Sequence, residues 1–97
     1  WMEIPQSLQQ KYQATAEETQ GFVDMLLVLK EARVGIVFRE EVDGQIKVSF
    51  RSRGNVEVYP IAKKLGGGGH SFEAGTLQQG TMKEVVTRVL DEITKNL

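Results

Sequence analysis

Residues 63–75 read KKLGGGGHSFEAG, and this is where chemistry is most plausible. Four consecutive glycines precede His70, the only histidine of the chain. A glycine run loses more conformational entropy on folding than other residues would. Three physical readings account for it: a flexible hinge, a helix cap followed by slack, or a backbone cradle whose unhindered N–H groups hold an anion. The Walker pattern fails, because His70-Ser71 follows the glycines where Lys-Ser/Thr is required. The dinucleotide fingerprint fails too, since no strand leads directly into the glycines and no long helix follows. As a neighbour of phosphate, His70 has a clear role, because an imidazole N–H can donate to a phosphate oxygen. One histidine cannot form a three-histidine zinc site.

A second group of candidates lies just upstream. QIKVSFRSR alternates, with Ile46, Val48 and Phe50 pointing one way and Lys47, Ser49, Arg51 and Arg53 the other. Same-face neighbours on a strand sit roughly 7 Å apart, a spacing suited to successive phosphates of a short nucleic-acid backbone. Guanidinium groups match phosphate oxygens as planar forks. A solvated outer face that blocks edge pairing is the other reading of such a stripe. Between positions 47 and 64 lie Lys47, Arg51, Arg53, Lys63 and Lys64 against one acid, Glu57, although the net charge of the 97 residues is only −1. The chain as a whole is therefore not a basic nucleic-acid binder.

Other chemistries find little support. Cysteine is absent, which excludes disulfides and thiolate metal sites. Asp24, Glu40, Glu41 and Asp43 are scattered over helix surface and turn, with no metal-ligand spacing and no Ser/His/Asp set. No apolar run approaches the ~20 residues needed to cross a bilayer, and WMEIPQSLQQ has no signal-peptide pattern, so cytoplasm is the default compartment. The residues describe a binding module without a catalytic residue or metal ligand of its own.

The elements that must position these groups follow from periodicity. With 40% hydrophobic residues, residues 1–97 are expected to form one domain. Residues 1–14 are polar, with a short helix around SLQQKYQ. Thr15 and Glu18 resemble a capping box, and Phe22, Met25, Leu26 and Leu29 recur at helical spacing, which predicts a helix over 16–31. RVGIVFR over 33–39 reads as a strand buried on both faces. Asp43-Gly44 marks a hairpin turn, and Gly54-Asn55 ends the basic strand. Pro60 suits the first turn of a short helix, IAKKL, with Gly66 as its cap. TLQQ over 76–79 reads as a strand. Thr81 and Glu84 form a second capping box opening a helix over 82–96, with Val85, Val89, Ile93 and Leu97 on one face. The expected fold is α/β (α+β): a small antiparallel or mixed sheet of about three or more strands flanked by helices. So thin a sheet, and a chain that starts with Trp1, suggest a domain cut from a longer protein.

Taken together, KVSFRSRG, then IAKKLGGGGH, then EAG and a helix resemble the C-terminal domain of the DHH-family phosphoesterases, on the nanoRNase and pAp-phosphatase branch. The likeness runs from about Thr19 to Leu97, with ETQGFVDMLLVL matching the family's helix and GIVFREE its following strand. It implies a hydrolase whose catalytic Asp-His-His domain, absent here, binds manganese, while this domain holds the substrate. By the same resemblance, Arg51, Ser52 and Arg53 fix a phosphate or terminal nucleotide, the backbone of Gly67, Gly68 and Gly69 approaches a phosphate, His70 donates to it, and Gly75 is a packing glycine. The implied partners are a short single-stranded RNA or a 3′,5′-bisphosphate nucleotide, the chain's own N-terminal catalytic domain and a second copy in a homodimer, with no membrane. Where the family has Ala-Ala-Gly, this chain has Glu73-Ala74-Gly75; an inward carboxylate would repel phosphate, and Glu73 is expected to face solvent. Gln20 replaces a frequent acid. The alternative is a tRNA-binding module of the kind found at the C-terminus of alanyl-tRNA synthetases, which does not hydrolyse.

Overall fold

The computed structural model describes residues 4–18, 24–30, 32–53 and 56–96. Eight elements follow one another: α1 (Gln6–Glu18), β1 (Asp24–Leu29), β2 (Val34–Glu40), β3 (Gln45–Ser52), α2 (Tyr59–Lys64), β4 (Gly68–His70), β5 (Glu73–Gln79) and α3 (Met82–Asn96). The strands form one five-stranded sheet in the order β1-β2-β3-β5-β4, antiparallel throughout. The fold is α/β as expected, and the sheet takes the antiparallel form of the expected small antiparallel or mixed sheet, with five strands. The β3–α2–β4 connection passes over β5, which returns between β3 and β4.

Several expectations are corrected here. The predicted helix over 16–31 does not form: α1 ends at Glu18 and residues 24–29 are strand β1. Thr15 lies inside α1 and donates to the Lys11 carbonyl at 2.9 Å, so it is not an N-cap. Met25, Leu27 and Leu29 are buried while Leu26 and Val28 are exposed, the period of two of a strand. β2 is buried on one face only, since Gly35 and Val37 on the other are half-exposed. β5 begins at Glu73, so EAG belongs to it, and the last two glycines of the run belong to β4. Phe22, Gln20, Gly54-Asn55 and Leu97 lie outside the described residues.

The inner face of the sheet carries the core. Phe38, Phe50, Leu27, Ile36 and Ile46 are fully buried and cluster with Ile61 of α2 and with Val85, Val89, Leu90 and Ile93 of α3. Each large side chain of this kind contributes about 1.5–3 kcal/mol through removal from water. α1 packs on α3; Leu8, Tyr12 and Ala16 of α1, with Ile4 just before it, join the core at every fourth position, and Lys83 of α3 reaches Glu17 of α1 at 2.6 Å. The capping box at Thr81 forms as predicted: the Thr81 N–H donates to Glu84 Oε1 at 2.9 Å, and the Glu84 N–H to Thr81 Oγ1 at 3.1 Å. With α1, α2 and α3 on the core side, no described element covers the outer face of the sheet.

Candidate functional site

Antiparallel register turns separate sequence segments into rows across the open face. Val28 pairs with Gly35, Gly35 with Arg51, Arg51 with Glu73, and Glu73 with His70. Directly paired residues share a face, so the two segments singled out by sequence meet in one row. The neighbouring row runs Leu26, Val37, Ser49, Gly75 and Gly68, mostly small residues that leave the backbone accessible. Around the end of the first row lies an open depression lined by Arg33, Arg51, Arg53, His70, Phe72 and Glu73, among others.

The alternation of β3 puts Lys47, Ser49 and Arg51 on the open face in successive rows, as expected. Arg51 and Arg53 line the depression, whereas Lys47 lies two rows away in the row of Arg39 and Leu77, and Lys63 and Lys64 occupy the last turn of α2. Arg39 is engaged by Asp24 at 3.1 and 3.3 Å; the hydrogen bond and then the charge of Asp24 push its pKa above the ordinary value. Ser52 is half-buried, and its hydroxyl donates to the Val56 carbonyl at 2.5 Å.

The glycines divide by physical cause. A Cβ on Gly67 would stand 2.0 Å from the Gly75 carbonyl oxygen, and one on Gly69 would stand 2.5 Å from the Ala74 Cα, with φ at +138°. Both are required for β4 to lie against β5. A Cβ on Gly68 would meet nothing within 4 Å, and this residue shares the open face with Gly75 and His70. As the sheet's edge, β4 also turns one row of peptide groups away from the sheet.

Two residues of the depression, Arg33 and Phe72, were missed from sequence, and a third, Glu73, has a partner that the sequence did not indicate. Glu73 is exposed, as expected, yet it is not idle: it accepts from Arg51 Nη2 at 3.3 Å, a carboxylate set against the arginine expected to hold phosphate. Arg33 sits in the β1–β2 turn at φ +54°, the only non-glycine with positive φ among the described residues. Its carbonyl accepts the Arg53 N–H at 3.0 Å, which brings the two arginines to the same rim. Such a conformation favours Gly or Asn and costs an arginine of order 1 kcal/mol, so nothing in its residue type signals the position. Phe72 is an exposed aromatic at the tip of the β4–β5 turn. Among the described residues no three or more His, Asp or Glu side chains converge as metal ligands.

Residues 5–97 match the model of the DHHA1 domain. The chain belongs to the DHHA1 family. Relatives of this DHHA1 domain include the bifunctional oligoribonuclease and PAP phosphatase NrnA of Thermus thermophilus, 37% identical over 84% of this chain and 25% of the relative. The protein of the same name from Mycoplasma genitalium is 28% identical over 93% of this chain and 27% of its own length, and that of Bacillus subtilis 39% identical over 68% and 20%. The likeness is thus to the NrnA branch, and the chain spans about a quarter of the length of these relatives. No described helix is long and apolar enough to cross a membrane.

Proposed function

We propose that this DHHA1 domain is the substrate-binding part of a longer cytoplasmic, manganese-dependent phosphoesterase that hydrolyses short RNA oligonucleotides or 3′,5′-bisphosphate nucleotides. The observation that carries this reading is the cross-strand row that sets Arg51 and His70 around one open depression with Arg33 and Arg53, in a domain whose relatives bear the NrnA name. Arg51 and Arg53 offer forks to phosphate oxygens, and His70 and the bare backbone of β4 offer single donors. Arg33 adds a further cation to the same rim. In this reading manganese belongs to a separate catalytic domain and supplies the activated water. The residues here orient the substrate and neutralise its charge, which converts an encounter into an oriented complex.

The test is a titration of the chain with a short 5′-phosphorylated RNA, following backbone amides by NMR. Shifts are expected at residues 51–53 and 66–75, weakening as salt rises. Arg51→Ala should weaken binding and lower the slope of log K against log salt by about 0.7, one single-strand phosphate contact. Glu73→Ala should tighten binding severalfold at low salt, because a like charge about 4 Å from a phosphate opposes it by about 1 kcal/mol in water. Shifts confined to other surfaces, or an Arg51→Ala variant with unchanged slope, would overturn the reading.

A further inference from the structure

Phe72 is an exposed aromatic in a tight turn. The turn His70-Ser71-Phe72-Glu73 joins β4 to β5 through two residues, positions usually taken by Gly, Asn, Asp or Ser. A phenylalanine there gains nothing from turn geometry, and at 48% exposure it gains little from the core. Single exposed apolar residues are common on protein surfaces, and Leu77 and Val42 are examples here. Two features set Phe72 apart from those.

It lines the same depression as Arg33, Arg51, Arg53 and His70. The backbone beneath it is also tied on both sides: the Phe72 carbonyl accepts the Ser52 N–H at 3.0 Å, and the Ser71 carbonyl accepts the Val58 N–H at 2.7 Å. An exposed aromatic on an anchored turn is a preorganised surface, since its backbone has little left to lose on binding. Beside it, one strand spacing away at about 4.8 Å, runs the end of β3 with its arginines. Flat aromatic surface next to fixed cations is the combination that binds single-stranded nucleotides, with cations on the phosphates and bases stacked on rings.

We propose that Phe72 is the base-stacking surface of this site, so that the depression selects nucleotides over other phosphate esters. The inference rests on the phosphate-binding reading above and adds the part that recognises the base. Stacking distinguishes a nucleotide from other phosphate esters without reading the base's identity, because every base presents a π face.

The test compares adenosine 5′-monophosphate with ribose 5-phosphate, which carry the same phosphate and differ by the base, against the chain and its Phe72→Ala, Phe72→Leu and Phe72→Tyr variants by isothermal titration calorimetry or NMR. The wild-type chain should bind the nucleotide about five- to a hundredfold more tightly than the sugar phosphate. Phe72→Ala and Phe72→Leu should erase that ratio with the sugar phosphate unaffected, and Phe72→Tyr should retain it. Equal loss of both ligands, or a ratio unchanged in Phe72→Ala, would overturn the stacking role and leave phosphate binding standing. Failure of the wild-type chain to bind either ligand would overturn phosphate binding, and the stacking inference with it.

Discussion

At the scale of single residues, the glycine run separates two demands that look the same in a string of letters. Gly67 and Gly69 have no room for a Cβ, because β4 lies against β5 at backbone contact distance. Gly68 has room, and its missing side chain bares the open face beside His70. Gly67→Ala is therefore expected to destabilise the domain by about 1–3 kcal/mol, the usual range for overpacking, measured by urea unfolding. Gly68→Ala should stay within about 0.5 kcal/mol of the parent, as surface substitutions do, and should weaken binding of the phosphorylated RNA through its new methyl group. A Gly68→Ala variant that unfolds early, or one that binds as well as the parent, would remove Gly68 from the site.

At the scale of elements, legibility depended on whether one physical signal dominated. The β3 alternation and the Asp43-Gly44 turn were readable because polar and apolar residues separate cleanly, and the turn bond from the Gln45 N–H to Asp43 Oδ1 at 3.1 Å follows from the side chain chosen. β1 was not readable. DMLLVL is apolar on both faces, so its period of two is hidden, while Met25, Leu26 and Leu29 also satisfy a helical spacing and Leu and Met favour helices. Pairing with β2 over six residues decided the matter, a contact that no local window contains. α1 was underread although Leu8, Tyr12 and Ala16, and Ile4 just before the helix, repeat every fourth position. In the site, Arg51 and His70 were legible as residue types, whereas their adjacency through Glu73 needed the register of three strands. The start of α3 was legible, and it carries a pH signature. Glu84 accepts first from the Thr81 backbone N–H and is further held by the Thr81 side chain, which lowers its carboxyl pKa. A depressed pKa contributes stability that is present above the unfolded value of about 4.3 and is lost as pH falls through the folded value. The difference in thermal midpoint between the parent and Glu84→Ala should therefore shrink as the pH is lowered below about 4.3. Thr81→Ala should cost about 1 kcal/mol at neutral pH. A midpoint gap for Glu84→Ala that stays constant down to pH 2 would show that the carboxylate charge takes no part in the cap.

At the scale of the whole molecule, the sheet divides labour between its faces. The helices and nearly all the buried apolar residues lie on one side, and the cations of the depression lie on the other, where no described element covers them. On the reading proposed above the depression orients a phosphate ester, yet hydrolysis also needs an activated nucleophile and stabilisation of the leaving oxygen. Among the described residues the depression offers one imidazole and a carboxylate already turned toward Arg51, and no cluster of metal ligands. Binding and turnover should therefore come apart in this chain. With manganese and a 5′-phosphorylated dinucleotide, the 97-residue chain should show saturable, salt-sensitive binding and no release of mononucleotide above the buffer rate. Addition of a catalytic domain from a relative of the NrnA branch, linked or in trans, should restore turnover, and Arg51→Ala should then raise KM more than it lowers kcat, because its contact is made in the bound complex and the transition state alike. Turnover by the chain alone that survives removal of metal would mean that the depression itself performs the chemistry, with His70 as the first residue to replace.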